Sequence, residues 1–560
     1  MNLNRTLLFT LFFAFIFPLT AQQWGNYTLV SLQGQSTAKL IDTLNATYHT
    51  YTPGSGSSAY SAFILPGGEY IRSISVSNPT FTGGGMTGGI QKVDWNNNVT
   101  WQYNYSTPSY SMHHDFCPMP NGNVLLIAYE LKTASEVTQA GSSTSHIMWP
   151  DKIVEVQPNG ATGGTVVWEW HAWDHLVQSV DATKDNFGVV AEHPELLNIN
   201  YNNNANTKDW MHANGIDYNP LLDQIILSSH NLNEFYVIDH STTTVEAASH
   251  QGGNSGHGGD ILYRWGNPAA YGASGTNIFH TVHDAHWIPE NYPNAGYMVG
   301  YNNNGISNNQ SSVEFVAPPY AENYSYSHTA GSAFSPSTYT LRHACSGHNN
   351  NMGSSQSLPN GNLIVCVAQS GLIYEVNAAG TQLWSYTASG TMAQAFRYDN
   401  CYLTTPRPTV PTISLSGNVL TSSSATSYQW YLNGSLIPGA TSQSYTPTQN
   451  GVYLVKVGEP NACQFNYSVG FRYSTILTTS NPSKSELSIY PNPANDIIQI
   501  AGIPSGASVL VSLFNMTGQL VDLKSNVTNL DVSFLPDGVY VIRATVNGTP
   551  TYSQKLLLAH

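Results

Sequence analysis

Between about residues 25 and 402 the chain alternates short apolar runs with Gly, Asn and Pro clusters, and helical periodicity is scarce. Such runs read as β-strands joined by tight turns. One phrase recurs: Pro-Asn-Gly-Asn followed by an apolar strand, at Pro120-Asn121-Gly122-Asn123 and again at Pro359-Asn360-Gly361-Asn362, with a degenerate copy at Pro66-Gly67-Gly68. Asn-Gly supplies the positive φ angles of a hairpin turn. A second phrase follows, an acidic residue among β-branched neighbours and then a Trp. It reads Ile153-Val154-Glu155-Val156 before Trp168 and Ile373-Tyr374-Glu375-Val376 before Trp384, with looser copies before Trp265 and Trp101. One unit thus holds about four strands and an outer Trp, the make-up of a propeller blade. The pattern predicts an all-β chain led by a β-propeller over 22–402, with about six blades and five or seven as alternatives.

The pattern changes beyond that region. Residues 403–411, with three prolines, read as a linker. Residues 412–475 carry Tyr428-Gln429-Trp430-Tyr431, an Asn433-Gly434 turn and Gly451-Val452-Tyr453, which resemble an immunoglobulin-like β-sandwich acting as a spacer. At the other end, Arg5 precedes the apolar run Leu7 to Phe17 and a small-residue site at Leu19-Thr20-Ala21, so 1–21 reads as a secretory signal peptide. No other run approaches the ~18 apolar residues of a transmembrane segment.

Only 9% of residues are charged and the net charge is −15, against about 25% charged in ordinary globular chains. The balance disfavours a nucleic-acid partner. The five cysteines, Cys117, Cys345, Cys366, Cys401 and Cys463, show no CxxC spacing. A thiolate metal site is therefore not expected, one thiol at least stays free, and the spacing does not say which pair could bridge.

Histidine changes the picture most: 19 His stand against 18 Lys and Arg. Four of them, His114, His212, His283 and His348, each open a segment that runs through a turn into an apolar strand. Copies of one residue at one point of a repeated blade converge in space, so these four are expected to ring one mouth of the central channel. Imidazoles so placed can bind a tetrahedral oxyanion or a metal, and neutral imidazole nitrogen is a competent nucleophile.

Asp209-Trp210-Met211-His212-Ala213-Asn214 with Ser228-Ser229, His114-Asp115 with Pro120-Asn121-Gly122-Asn123, and Val282-His283-Asp284-Ala285 running into Tyr301-Asn302-Asn303-Asn304-Gly305 resemble the bacterial arylsulfotransferases that work without a soluble nucleotide sulfate donor. The resemblance implies a secreted six-bladed propeller that moves a sulfuryl group from an aryl sulfate to a phenol through a sulfohistidine, with no cofactor. It makes His283 the nucleophile and sets His114, His212 and Asn214 on the sulfuryl oxygens, with a second histidine serving the leaving phenolate. One position departs from the family: an arginine expected after the Ser-Ser pair is His230 here. Arg264, Arg342 or Arg397 is then expected to supply the missing charge, or the substrate differs.

Two other readings compete. His171 and His175 with Asp174, His113-His114-Asp115, and His283-Asp284 with His286 could hold a metal for hydrolysis. Alternatively the propeller binds a glycan or protein without catalysis, with Trp173, Trp210, Trp265 and Trp287 as stacking surfaces. His193, His240, His250, His257, His343 and His560 are assigned to packing.

The last segment, 484–560, carries Leu487-Ser488-Ile489-Tyr490-Pro491-Asn492-Pro493, Leu513-Phe514-Asn515-Met516-Thr517-Gly518 and Leu535-Pro536-Asp537-Gly538-Val539-Tyr540. These phrases resemble the C-terminal sorting domain of the type IX secretion system. The resemblance implies a small β-sandwich, handling by that machinery, and export across the outer membrane to the surface or medium.

Overall fold

The computed structural model describes residues 23–204, 208–307, 309–458, 463–474, 488–503, 507–515, 520–546 and 549–559. The signal peptide expected at 1–21 lies outside them. The chain divides into two compact units, Met1–Ser474 and Thr475–His560.

The first unit contains six four-stranded antiparallel sheets. Five are built from consecutive strands. Their chain-first strands are Ser58–Ile64, Tyr110–Pro118, Ala213–Asn219, Val282–Trp287 and Ser354–Ser357. The sixth joins Tyr27–Ser31, Ala38–Asp42 and Thr47–Tyr51 to a late strand, Arg397–Tyr398. The two ends of the propeller chain thus close one sheet.

Buried aspartates rivet the inner strands to one another. Asp115 accepts the Ile216 amide (3.2 Å) and Asp217 that of Trp287 (3.0 Å). Asp284 accepts the Ser355 amide (2.8 Å). Such bonds satisfy amides that bulged strands would otherwise leave unpaired. The outer-strand tryptophans Trp101, Trp168, Trp265 and Trp384 are buried between sheets.

After the short helix Asn400–Thr404, the chain forms a three-stranded and a five-stranded sheet around buried Trp430, Tyr453 and Val455. This sandwich is not a free spacer. Cys401 and Cys463 form a disulfide between the helix and the sandwich, while Cys117, Cys345 and Cys366 are free and buried. Glu290 of the propeller accepts the hydroxyls of Tyr431 and Tyr467 (both 2.6 Å) and pairs with Lys456.

The second unit holds a three-stranded and a four-stranded sheet. Alternating residues of its strands, such as Val509, Val511 and Leu513 with Ile542 and Ala544, point into one core.

Candidate active site

Four inner strands break register at matching points: between Ser58 and Ala62, Met112 and Phe116, Ala213 and Gly215, and His283 and His286. Bulges re-aim side chains, and here three non-glycine residues beside them take positive φ: His114 (50°), His212 (54°) and Asp284 (59°). Each such residue costs about 1–3 kcal/mol, so the surrounding packing must impose it. The effect is to send adjacent residues to opposite ends of the channel. His114 and His283 go to one end. Asp115 and Asp284 go to the other, where they line a cavity of about 510 Å³ with Asp217 and His286.

At the first end, four imidazoles stand in a chain. Ring centroids are 4.5 Å apart for His114 and His212, 4.8 Å for His212 and His230, and 5.6 Å for His230 and His283. His348 makes none of these ring contacts; its Nε2 lies 3.0 Å from Asn304 Oδ1, beside the asparagine that holds His283. Asn214 is engaged at both ends of its amide. It donates to the Val282 carbonyl (2.8 Å) and accepts the Ser228 hydroxyl (2.7 Å), strapping the strand that carries His283.

Hydrogen bonds fix what each ring can do. Asn303 donates its amide N–H to the carbonyls of Asn349 (3.1 Å) and Met352 (2.8 Å), so its oxygen must face His283 Nδ1 at 2.7 Å. His283 therefore carries its proton on Nδ1 and a lone pair on Nε2. That lone pair accepts the Met352 amide (3.1 Å). Burial and the neighbouring His230 hold His283 well below the usual imidazole pKa, so the ring stays neutral.

His212 behaves differently. Burial lowers its pKa, but the Asp209 carboxylate, 2.5 Å from Nδ1, outweighs burial and the net shift is upward. Tyr129 donates to the same carboxylate oxygen (2.8 Å), and Asp209 itself is held low. His212 is thus the group of the cluster most able to carry a positive charge. His230 is pushed down to about 4, by burial and then by His212. It does not reproduce the permanent charge of an arginine.

His114 ends a relay. Asp151 Oδ1 lies 2.7 Å from His113 Nε2, and His113 Nδ1 lies 2.8 Å from His114 Nδ1. Burial raises Asp151 well above the carboxylate range, takes His113 down to about 3 and lowers His114 well below its usual value. One proton shifted along this line leaves His114 Nε2 either as N–H or as a lone pair.

Arg264, Arg342 and Arg397 do not supply the missing charge. They pair with Glu234, Glu314 and Glu375 within the sheets. The metal groupings read from sequence separate too. His171 lies between Glu130 and Glu169, while His175 turns to Asp260 and the Ala247 carbonyl. Asp115 takes the Ser61 hydroxyl (2.5 Å) rather than joining His113 and His114, and Asp284 and His286 sit at the end of the channel away from His283. Trp210 and Trp265 are buried, with indole N–H groups spent on the carbonyls of Tyr201 and Pro336.

Sequence reasoning missed the loop Gly83-Gly84-Gly85. A Cβ on Gly84 would stand 2.8 Å from His212 Cε1, and one on Gly85 would stand only 2.2 Å from His114 Cε1 and Nε2. Gly85 also accepts the His114 amide (2.6 Å). The three glycines in a row were the available signal, because only glycine permits backbone this close to a ring.

Residues 76–330 match the arylsulfotransferase (ASST) family, and residues 488–559 match the secretion system C-terminal sorting domain. No curated protein matches the chain. Solved structures with a distant likeness include a protein of unknown function from Bacteroides caccae (12% identity, 66% of this chain and 98% of that one, TM-score 0.37). Others are hydrazine synthase from Kuenenia stuttgartiensis (12%, 52% and 68%, 0.29) and a periplasmic gluconolactonase from Pseudomonas aeruginosa (9%, 89% and 100%, 0.28). The family match supports a sulfotransferase-like activity, and the sorting domain points to export across the outer membrane, to the surface or the medium. Among the described residues no helix is long and apolar enough to cross a membrane. Within the propeller, residues 76–330 are thus similar to the arylsulfotransferase family, and residues 488–559 to the type IX sorting domain.

Proposed function

We propose that the imidazole chain transfers a sulfuryl group between phenols, with His283 as nucleophile. The observation that carries this reading is the fixed tautomer of His283, a neutral ring with its lone pair on Nε2. In the first half-reaction Nε2 attacks sulfur, an N–S bond forms, and the S–O bond to the aryl group breaks. The phenolate leaves with that electron pair and takes a proton from His212. In the second, an acceptor phenol returns its proton to His212 and its oxygen attacks sulfur. The N–S bond breaks and the His283 lone pair is restored.

The remaining residues support this cycle. The Met352 amide, now on Nε2, turns to a sulfuryl oxygen once the nitrogen is sulfated, and preorganised donors of this type commonly supply the largest share of stabilisation. His212 provides the cationic charge that the family takes from arginine, and His230 contributes a neutral ring next to it. Asn214 positions the His283 strand. The relay from Asp151 lets His114 exchange a proton at the site, and His348 braces Asn304, next to the asparagine that holds His283. No cofactor enters the cycle.

Incubation with 4-nitrophenyl sulfate and phenol tests the proposal. Nitrophenol release that rises with phenol concentration is expected. Absence of release across a panel of aryl sulfates, from a protein that is folded, overturns it.

A further inference from the structure

A second histidine cluster lies outside the channel site, where the segment after strand Gly163–His171 meets a glycine-rich loop. His175 Nδ1 and His250 Nδ1 lie 2.9 Å and 2.7 Å from the same oxygen, Asp260 Oδ1. The three potential ligand atoms all fall within 4.8 Å of one another.

The protons show why this is more than packing. His175 Nε2 lies 2.8 Å from the Ala247 carbonyl, which can only accept, so Nε2 carries a proton. The neutral ring then has only a lone pair on Nδ1, and that lone pair faces a carboxylate oxygen. His175 is fully buried, its side chain 0% exposed. A cation held between Nδ1 and the carboxylate oxygen would satisfy two atoms that here face each other as acceptors. An imidazole whose far N–H is bound by a backbone carbonyl is the usual posture of a metal ligand.

The surroundings hold this posture. Trp170 lies parallel to His175, with centroids 5.7 Å apart and planes 6° from parallel, and its indole N–H donates to the Gly259 carbonyl (2.7 Å). A Cβ on Gly259 would stand 2.7 Å from His175 Nε2, so the loop approaches this closely only because residue 259 is glycine. Ala247 ends the short helix Thr244–Ala247, which Thr243 and Glu246 fix with a capping box. His250, by contrast, is 61% exposed and borders a pocket of about 340 Å³ with Trp173, Asp174 and His193.

We propose that His175, His250 and Asp260 bind one divalent transition-metal ion, with zinc the best fit. Two imidazoles and a carboxylate are zinc ligands at about 2.0–2.2 Å, which sets ligand atoms about 3.3 Å apart in a tetrahedron. The two N–O separations need to open by roughly half an ångström to reach that spacing. The exposed His250 can supply one movement, and a small rotation of the Asp260 carboxylate the other. The fourth position is left to water, and the ion ties the loop 248–260 to the segment after strand Gly163–His171. His250, assigned to packing from the sequence, becomes a ligand on this reading.

The test is zinc titration of full-length protein stripped with chelator, followed by calorimetry and, with cobalt, by visible absorption. Wild type is expected to bind one ion per chain at this site, with a tetrahedral cobalt spectrum. His250→Ala and Asp260→Asn are expected to weaken binding by about 100-fold, an effect at least as large as loss of an outer-shell partner. His230→Ala, in the channel cluster, is expected to leave it unchanged. The exposed position of His250 keeps the first variant foldable, and circular dichroism checks this. Failure of wild type to bind zinc, equal affinity in His250→Ala, or loss of binding in His230→Ala in place of His250→Ala overturns the proposal.

Discussion

The two ends of the channel are made by neighbouring residues of the same strands, yet they hold opposite chemistry. At one end His114, His212, His230 and His283 form a chain in which burial keeps three rings neutral and Asp209 favours charge on the fourth. At the other end Asp115, Asp217 and Asp284 each accept an amide from the next inner strand, and burial raises all three, Asp115 to about 7. The dipeptides His114-Asp115 and His283-Asp284 invite a reading as His–Asp couples. A bulge and a positive φ divide each of them. The working His–Asp pairs come from elsewhere, His113 with Asp151 and His212 with Asp209. A riveting carboxylate and an imidazole of the four-ring chain therefore share a strand without sharing partners.

The largest effect is expected at the imidazole end. His283→Ala should abolish acceptor-dependent nitrophenol release while circular dichroism stays unchanged; a variant retaining more than a few per cent of the rate would move the nucleophile, with His114 next in line. Asp209→Asn should lower activity by about 100-fold, the scale of losing a positioned acid or base. His212 is raised in the folded protein, so the stability it contributes is full below its unfolded pKa and is lost as pH rises through the folded value. Without Asp209 that fall should vanish, and the alkaline limb of the rate profile should move to lower pH. Denaturation and rate measurements over a pH series would show both.

Gly85→Ala sharpens the contrast through the backbone. Gly85 has φ +62° and no room for a Cβ above His114. The variant is expected to lose about 1–3 kcal/mol of stability from strain alone, with a further loss of activity as His114 shifts. At the carboxylate end Asp115→Asn should have the smallest effect, visible in a slope. Asp115 is raised, so between about pH 4 and pH 7 the folded state binds the extra proton and stability falls as pH rises. The variant should flatten that fall and leave the transfer rate near wild type.

Much of this was legible in the sequence. The repeated turn phrases and acidic-then-Trp strands marked the sheets, and the four His-led segments marked three members of the cluster. His230 was noticed through the missing arginine. The supporting residues were not legible. Asp151 and Asn303 sit on other strands, and only the sheet array brings them to the rings; Asp209 is three residues from His212, but nothing in the sequence says that the loop turns its carboxylate back onto that ring. The direction of His114 depends on a left-handed backbone angle that no periodicity encodes. Gly83-Gly84-Gly85 drew no reading from the sequence, although it is the close cover of two imidazoles. The sandwich was read as a spacer because nothing local to it reveals that Tyr431, Lys456 and Tyr467 share Glu290.

The most direct test of the central claim is to mix the protein with an aryl sulfate in the absence of acceptor, quench at alkaline pH, digest, and map any added sulfuryl group by mass spectrometry. One sulfuryl per chain on His283, absent from His283→Ala, is the predicted result. Nitrophenol release without a modified histidine, or a sulfuryl group outside the four-ring chain, would contradict it.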